Sequence, residues 1–293
     1  MKKIFMIGGS GLVGSRVVEL LSKNYIVDQF SLESGVDITD PTTLGPIRND
    51  KEHELLIHMA AKADVDGCEA DRLLGEDGSA YKINVLGTQN VLDACLPTNK
   101  KFIYISTDFV FDGENAPEGG YTEEDDCNPV NWYAQTKYLG EEHVRESSLP
   151  FIIARLAYPF RKDAFAVKKD FVHAIMDRLS TGQEIRAVTD HVMSPTYIDD
   201  IAFALDKLIT SDSQGIYHIV GGQSLTPYEA SLLIAERFGY DRSLISETTR
   251  AEYFSGKAPR PYNIALNNNK ITELGLTMRS FSDAIHEVSP VIE

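Results

Sequence analysis

The stretch that decides the fold is Ile4-Phe5-Met6-Ile7-Gly8-Gly9-Ser10-Gly11-Leu12-Val13-Gly14, where an apolar run passes into regularly spaced glycines. The run predicts a buried strand, and apolar residues at helical spacing over 12–21 predict a helix directly after it. Glycines at such a junction let the backbone approach a pyrophosphate, which the free N–H groups of the helix start can bind. A glycine-rich turn kept only for packing is the alternative. The residues expected to contact a bound dinucleotide are Gly8, Ser10, Gly11, Leu12, Val13 and Gly14.

Apolar runs and amphipathic stretches alternate through the first half of the chain. Further strands are predicted at 25–32, 55–59, 102–105 and 151–154, and further helices at 81–96 and 131–146. Continuous apolar strands separated by helices indicate a parallel sheet that is covered on both faces. The predicted fold class is therefore α/β, a Rossmann-type doubly wound parallel sheet with a smaller C-terminal substrate lobe.

The second half is less regular, with helices predicted at 170–179, 198–209 and 227–238 and a strand at 216–220. A chain of 293 residues is long enough for about two domains. We predict a dinucleotide-binding domain formed by residues 1–158 and roughly 185–222. The substrate-binding lobe would then comprise roughly residues 159–184 and 223–293.

Charge and cysteine usage narrow the class of protein. With 28 basic and 44 acidic residues, the net charge of −16 argues against nucleic acid as a partner. No apolar run approaches the ~18 residues of a membrane span. The three cysteines, Cys68, Cys95 and Cys127, lack CxxC spacing, which favours a reducing cytoplasm over a disulfide framework. No metal site is expected, because His53 and His58 are one residue too far apart for a zinc-binding helix motif.

A Tyr-x-x-x-Lys pair lies inside the helix predicted at 131–146. The four-residue spacing places Tyr133 and Lys137 on one face, where the ammonium would lower the pKa of the phenol. Such a pair can protonate a carbonyl oxygen as a general acid. Thr107, at the end of the fourth strand, can donate to the same oxygen. A solvated helix face and a strand-end cap are the structural alternatives.

Ser31 lies near the end of the second strand, where a dinucleotide fold usually has an acid for the ribose 2′-hydroxyl. Without a carboxylate there, a 2′-phosphate meets no repulsion, which favours NADP(H) over NAD(H). No arginine follows Ser31, and Arg16 is more simply explained as an exposed helix residue than as a phosphate ligand.

Taken together, the glycine loop, Ser106-Thr107-Asp108 and the Tyr133/Lys137 pair resemble the extended short-chain dehydrogenase/reductases. More narrowly, the chain resembles the dTDP-4-dehydrorhamnose reductase family. The phrase at 106–113, STDFVFDG, and the late Arg260-Pro261 are its most family-specific matches.

The resemblance implies hydride transfer from a nicotinamide to the C4 ketone of a nucleotide-linked 6-deoxy sugar, such as dTDP-4-dehydro-L-rhamnose, which becomes dTDP-L-rhamnose. Tyr133 would protonate the oxygen, Lys137 would bind the nicotinamide ribose, and Thr107 with Asp108 would orient the substrate. Further cofactor contacts implied are Ala60, Ala61 and Asn84. Substrate contacts implied are Val65, Asp66, Tyr158 and Arg260. A homodimer is left open, since no interface signal stands out.

Two departures from the family bear on the substrate. The family's Arg-Thr-Ser-Trp segment reads Arg155-Leu156-Ala157-Tyr158 here, and residues 165–169 lack the usual glycine-asparagine pair. Two alternative functions therefore stay open. One is a sugar-nucleotide epimerase or dehydratase, and the other is a regulatory protein resembling the methionine adenosyltransferase β subunit.

Overall fold

A six-stranded parallel sheet forms the larger part of the molecule in a computed structural model that describes residues 1–290. Its strands run in the order β2-β1-β3-β4-β5-β9, and every neighbouring pair is parallel. The strands of the protein are β1 (Lys3–Ile7), β2 (Ile26–Phe30), β3 (Leu55–His58), β4 (Lys101–Thr107), β5 (Phe151–Leu156), β6 (Pro159–Phe160), β7 (Ile185–Val188), β8 (Thr196–Tyr197), β9 (Gly215–His218) and β10 (Ile245–Thr248). The predicted Rossmann-type fold class is confirmed.

Helices cover both faces of this sheet and also form much of the smaller lobe. They are α1 (Leu12–Leu21), α2 (Gly45–Arg48), α3 (Val65–Ala70), α4 (Ser79–Tyr81), α5 (Gly87–Cys95), α6 (Trp132–Glu146), α7 (Phe171–Ser180), α8 (Ile198–Thr210), α9 (Pro227–Phe238), α10 (Arg250–Tyr253), α11 (Asn269–Thr272) and α12 (Phe281–Ala284). Alternate strand residues face opposite sides. Ile4 and Met6 pack with α1 and α8, whereas Phe5 and Ile7 pack with α5. This two-sided burial explains why the strands are continuous apolar runs.

The order of the strands creates a crevice at the carboxyl ends of β1 and β3. The chain passes from β1 to β2 on one side and then crosses back to β3 on the other. Ligands of open α/β sheets bind at the carboxyl ends of strands where the order reverses in this way. Gly8 follows β1 at this point, and Met59 to Ala61 follow β3.

The smaller lobe is built from shorter pieces. Strands β7 and β10 pair in parallel, and α7 and α9 pack around an apolar cluster that includes Met176 and Ile234. Strand β7, which begins at the boundary predicted near 185, pairs with β10 rather than with the large sheet. Further along, α8 packs on α1 and β9 joins the large sheet beside β5.

The helix predicted over 81–96 is divided. Residues Lys82–Leu86 form a π-helical turn between α4 and α5. This turn buries Asn84, whose side chain bonds the backbone of Lys62 and donates to Thr136 Oγ1 at 2.9 Å. Within residues 1–290, no helix combines the length and the apolar character needed to cross a membrane.

Candidate active site

A cleft of about 580 Å³ opens at the carboxyl ends of β1, β3 and β4 and is closed on one side by the lobe. It brings together most of the predicted site residues, from the glycine loop, α3, β4, α6 and the end of β5. These are Gly8, Gly11, Leu12, Val13, Gly14, Ala61, Val65, Thr107, Asp108, Tyr133, Lys137 and Tyr158. The predicted residues outside its lining are Ser10, Ser31, Ala60, Asn84, Asp66 and Arg260.

The glycines of the loop differ in why a side chain is absent at each position. Gly8 has a φ of +85°, and a Cβ there would lie 2.5 Å from the backbone nitrogen of Ala60. A Cβ on Gly14 would lie 2.3 Å from the carbonyl oxygen of Gly8. Gly11 is different, because its nearest neighbour would be 3.5 Å away. Gly8 and Gly14 therefore allow the turn and the helix packing, while Gly11 leaves open space at the start of α1.

That open space suits a pyrophosphate. Gly11 is the N-cap of α1, and the first turn of the helix contains no acidic side chain. The N–H groups of a helix's first turn have no partner within the helix, and its N-terminus carries a partial positive charge. The loop thus fits the phosphates of a dinucleotide without a cationic side chain of its own.

The start of α6 is held firmly, which positions Tyr133. The side chain of Asn131 caps the helix by accepting from Ala134 N at 2.9 Å and donates to Pro259 O at 2.9 Å. The backbone nitrogen of Trp132 donates to Glu69 Oε2 at 2.7 Å. These bonds tie the first turn of α6 to α3 and to the C-terminal part of the chain.

The sequence predicted a lowered pKa for Tyr133 beside Lys137, and the structure contradicts this prediction. Burial raises the pKa of Tyr133, and a hydrogen bond with Thr107 only partly opposes this. Lys137 Nζ instead donates to Ile105 O at 2.8 Å and lies 3.9 Å from the ring centre of Tyr104. Burial also lowers the pKa of Lys137 to about 7, against the attraction of Glu141. Tyr133 is therefore protonated at neutral pH, as a proton donor must be.

Asp108 is a buried carboxyl group beside these residues. It is 2% exposed, and burial raises its pKa to about 7. Thr107 Oγ1 donates to its Oδ1 at 3.0 Å, while its Oδ2 has no partner within residues 1–290. Asp108 thus lies at the lining of the cleft with one buried carboxyl oxygen that has no hydrogen-bond partner within residues 1–290.

Tyr158 forms the wall between this cleft and a second cavity of about 600 Å³ in the lobe. His191 Nδ1 donates to Pro261 O at 2.8 Å, so its Nε2 accepts from the Tyr158 hydroxyl at 2.7 Å. The backbone of Tyr158 has a positive φ of 39°, which is uncommon for such a residue. No local sequence pattern indicates a role for His191, because its partner Tyr158 lies 33 residues away in the chain.

Two predicted substrate residues bond to each other. Arg260 donates to Asp66 Oδ1 at 2.8 Å and to Ala258 O at 2.7 Å, so its charge already has an anionic partner. The guanidinium also lies 4.6 Å from the ring centre of Phe254, which lines the lobe cavity.

The remaining predicted cofactor residues lie at the edge or behind the cleft. Ser31 directly follows β2 and is the N-cap of a short 3₁₀ turn. Asn84 has its amide atoms occupied, as described above, so it supports Lys62 and α6 from behind. The guanidinium of Arg16 forms an ion pair with Asp199, from Nη2 to Oδ2 at 2.7 Å, and therefore already has an anionic partner.

Comparisons with known proteins identify the family of this chain. The family model described as RmlD substrate binding domain matches residues 1–291. This chain belongs to the dTDP-4-dehydrorhamnose reductase family. It is thereby placed among the NAD(P)-dependent oxidoreductases, as the sequence predicted.

Individual relatives match over nearly the full chain. The Bacillus subtilis spore coat polysaccharide biosynthesis protein SpsK is 29% identical, covering 98% of this chain and 96% of that protein. A dTDP-4-dehydrorhamnose reductase of Mycobacterium tuberculosis is 30% identical, covering 94% and 88%. The solved structure of a dTDP-4-dehydrorhamnose reductase from Bacillus anthracis in complex with NADP has a TM-score of 0.87 at 29% identity, with 98% of each chain covered.

The regulatory alternative also has a relative. Methionine adenosyltransferase 2 subunit beta of Rattus norvegicus is 26% identical, covering 95% of this chain and 84% of that protein. The UDP-glucose 4-epimerase of Thermotoga maritima, at 22% identity and a TM-score of 0.81, shares the fold.

Proposed function

We propose that this protein reduces the C4 ketone of a nucleotide-linked 6-deoxy sugar with NADPH. dTDP-4-dehydro-L-rhamnose is the substrate we favour, and dTDP-L-rhamnose is then the product. The observation that carries the proposal is that one cleft is lined by the glycine loop, Thr107, Tyr133 and Lys137. A dinucleotide, a proton donor and a ketone oxygen can meet there.

Each residue has a role that follows from its chemistry. A bound nicotinamide supplies the hydride for the carbonyl carbon. Tyr133, protonated because of its burial, donates its proton to the oxygen as negative charge develops there. Thr107 is the second donor to this oxygen once its hydroxyl turns from Asp108 Oδ1 toward the ligand, and Lys137 binds the nicotinamide ribose. Asp108, whose Oδ1 accepts from Thr107 Oγ1 at 3.0 Å, orients the sugar together with Thr107.

The preference for NADPH rests on two observations. The end of β2 presents Ser31 rather than a carboxylate, so a 2′-phosphate would meet no like charge from that residue. The structural relative from Bacillus anthracis was solved with NADP. Ala60 and Ala61 follow β3 beside Gly8, where they would line the adenosine side of the cofactor.

The cavity in the lobe is our proposed place for the nucleotide of the substrate. Tyr253 and Phe254 supply aromatic faces for a base, and Arg178 supplies positive charge, whereas Arg186 is paired with Glu252. Tyr158 separates this cavity from the catalytic cleft, so a sugar joined to a nucleotide would pass over it. Val65 lines the cleft, while Asp66 and Arg260 close the neighbouring wall as an ion pair.

Turnover in the presence of NADPH or NADH tests the proposal. Oxidation would be followed at 340 nm with dTDP-4-dehydro-L-rhamnose generated in situ. We expect Tyr133→Phe to lower kcat by about 10²- to 10⁴-fold, since it removes the proton donor. Tyr138→Phe, on the same helix but outside the cleft lining, is the matched control and should keep wild-type turnover.

Other results would point elsewhere. Full turnover by Tyr133→Phe would overturn the assignment of the proton donor. Conversion of a sugar nucleotide without net oxidation of the cofactor would indicate an epimerase or dehydratase. Cofactor binding without turnover, together with capture of a methionine adenosyltransferase, would favour the regulatory role suggested by the 26% identical relative.

We also propose that the protein acts in the cytoplasm. Its three cysteines are all free, and Cys68 and Cys95 are buried. Free thiols are typical of a reducing compartment. Nonreducing and reducing mass measurements on protein isolated from its cell would test this, since a disulfide in the native protein would contradict it.

A further inference from the structure

A basic segment borders the cleft opposite the sheet. It comprises Arg161 to Asp170, between the end of β6 and the start of α7, and is called the strap below. Ahead of its last residue, it carries Arg161, Lys162, Lys168 and Lys169 against a single acid, Asp163. In a chain with a net charge of −16, this local excess of positive charge beside a cleft indicates an anionic ligand.

Both ends of the strap are fixed. Arg161 donates from Nη1 to Leu12 O at 3.2 Å and to Ser15 Oγ at 2.8 Å, which ties it to the first turn of α1. The backbone nitrogen of Arg161 donates to Asp170 Oδ2 at 3.2 Å, so the two ends also meet each other. Asp170 caps α7 by accepting from His173 N at 3.0 Å.

The middle of the strap is exposed. Val167 is 85% exposed, although it is apolar, whereas Phe165 is half-buried and lies 5.0 Å from the guanidinium of Arg161. A loop with fixed ends and an exposed apolar tip has local freedom to settle on a ligand without moving the lobe.

Two lysines of the strap line the same cleft as the glycine loop. Among the cleft-lining residues, the cations are Lys137, Lys168 and Lys169. Lys137 is buried against Ile105 O at the catalytic end, and Lys169 forms an ion pair with Asp177 on α7. Lys168 is exposed, and no ion pair holds it within residues 1–290. It is the cleft-lining cation whose charge is available to a ligand.

We propose that Lys168 is a ligand of a diphosphate group bound in this cleft, with the strap closing over that group. The glycine loop offers backbone N–H groups and a helix dipole, which amount to a partial charge and leave a diphosphate uncompensated. A lysine ammonium supplies the missing charge from the opposite side. The proposal rests on the proposed function only in that nucleotide ligands occupy this cleft.

Two diphosphates are available as sources. One is the pyrophosphate of the cofactor, which would lie at Gly11 to Gly14. The other is the diphosphate of the sugar nucleotide, which would pass Tyr158 and Phe171, both of which also line the cleft. The chemistry is the same, so the test uses one probe for each source.

Binding of NADPH and of deoxythymidine diphosphate would be measured for wild type, Lys168→Gln, Lys168→Arg and Lys162→Gln by titration calorimetry at low and moderate salt. Lys162→Gln is the matched control, because Lys162 is exposed on the same strap but does not line the cleft. Thermal unfolding would confirm that each variant is folded. Binding is read directly, so a failed reductase assay would leave this test intact.

We expect Lys168→Gln to weaken one probe by about 5- to 20-fold, the range for a partly exposed hydrogen bond between charged groups. Lys168→Arg should recover most of the loss, and Lys162→Gln should change binding by less than about twofold. A loss for NADPH would assign the site to the cofactor, and a loss for the diphosphate would assign it to the substrate. Equal affinities of Lys168→Gln and Lys162→Gln for both probes would overturn the proposal.

Discussion

The cofactor end and the substrate end of the cleft are built in different ways. The cofactor end uses contiguous motifs, the loop at 8–14 and the pair at 133–137, mounted on long strands and on a helix. The substrate end collects Tyr158, His191 and Phe254 from segments that are held together by two-residue strands and isolated bridges. The difference shows that site residues can be predicted from sequence where residues that are close in space are also close in the chain.

The largest effects are expected from the glycine loop, and two substitutions separate its packing role from its ligand role. Gly14→Ala should lower the free energy of unfolding by about 2–4 kcal/mol, since the new Cβ meets backbone atoms that cannot move aside. Gly11→Ala should leave that free energy within about 0.5 kcal/mol of wild type, because its Cβ meets only an ordinary contact. Urea unfolding measures both.

The Kd for NADPH is the second measurement that distinguishes the roles of Gly11 and Gly14. Gly11→Ala should weaken NADPH by at least about tenfold, since a methyl group would occupy the space into which a pyrophosphate fits. If Gly11→Ala kept wild-type affinity for NADPH, the proposed pyrophosphate site at the start of α1 would be wrong, even if Gly14→Ala behaved as expected.

At the substrate end, Tyr158→Phe removes the donor to His191 and leaves a buried ring nitrogen unpaired. We expect kcat/KM for the sugar nucleotide to fall by about tenfold, because the ring over which the sugar would pass loses the hydrogen bond that holds its position. The Kd for NADPH should not change. Tyr228→Phe, on α9 and outside the lining of both cavities, is the control. Equal losses of NADPH and substrate binding would break the distinction between the two ends.

The pH dependence of cofactor binding probes Lys137. Burial lowers the pKa of Lys137 to about 7 in the free protein, and an anionic cofactor binds better to the protonated form. As the pH rises from 7 to 8, the protonated fraction falls, so the Kd for NADPH should rise by about fivefold. Binding at pH 8 should also take up protons, which calorimetry in buffers of different ionisation enthalpy detects. Lys137→Met should lose both effects, and an unchanged proton uptake in that variant would assign the titration to another group.

The smallest effect is expected at the ion pair between the two regions. Asp66 is 44% exposed in its side chain, so Asp66→Asn should lower the free energy of unfolding by less than about 1 kcal/mol. If Arg260 also contacts the substrate, releasing it from Asp66 should lower KM for the sugar nucleotide by up to about threefold. A rise in KM instead would indicate that the pair acts as one structural unit.

The sequence was most informative about the sheet. The apolar runs predicted all six of its strands to within a few residues. The inner strands were the plainest, because β1, β3, β4 and β5 are buried on both faces, whereas the edge strand β2 is largely exposed. The spacing of Tyr133 and Lys137 also predicted their common face, since helical geometry alone sets it. The division of the helix predicted over 81–96 could not be predicted from the sequence, because the π-helical turn accompanies side-chain hydrogen bonds from Asn84 to the distant Lys62 and Thr136.

The sequence by itself determined the fold class, the glycine loop and the family, because all of these depend on local spacing. Only the tertiary structure decided the charge states and partners. It buries Tyr133 away from the charge of Lys137, joins Tyr158 to His191 and Arg260 to Asp66, and brings Lys168 to the cleft. Burial and contact between distant segments set a pKa or an ion pair, and neither quantity is a property of neighbouring residues in the chain.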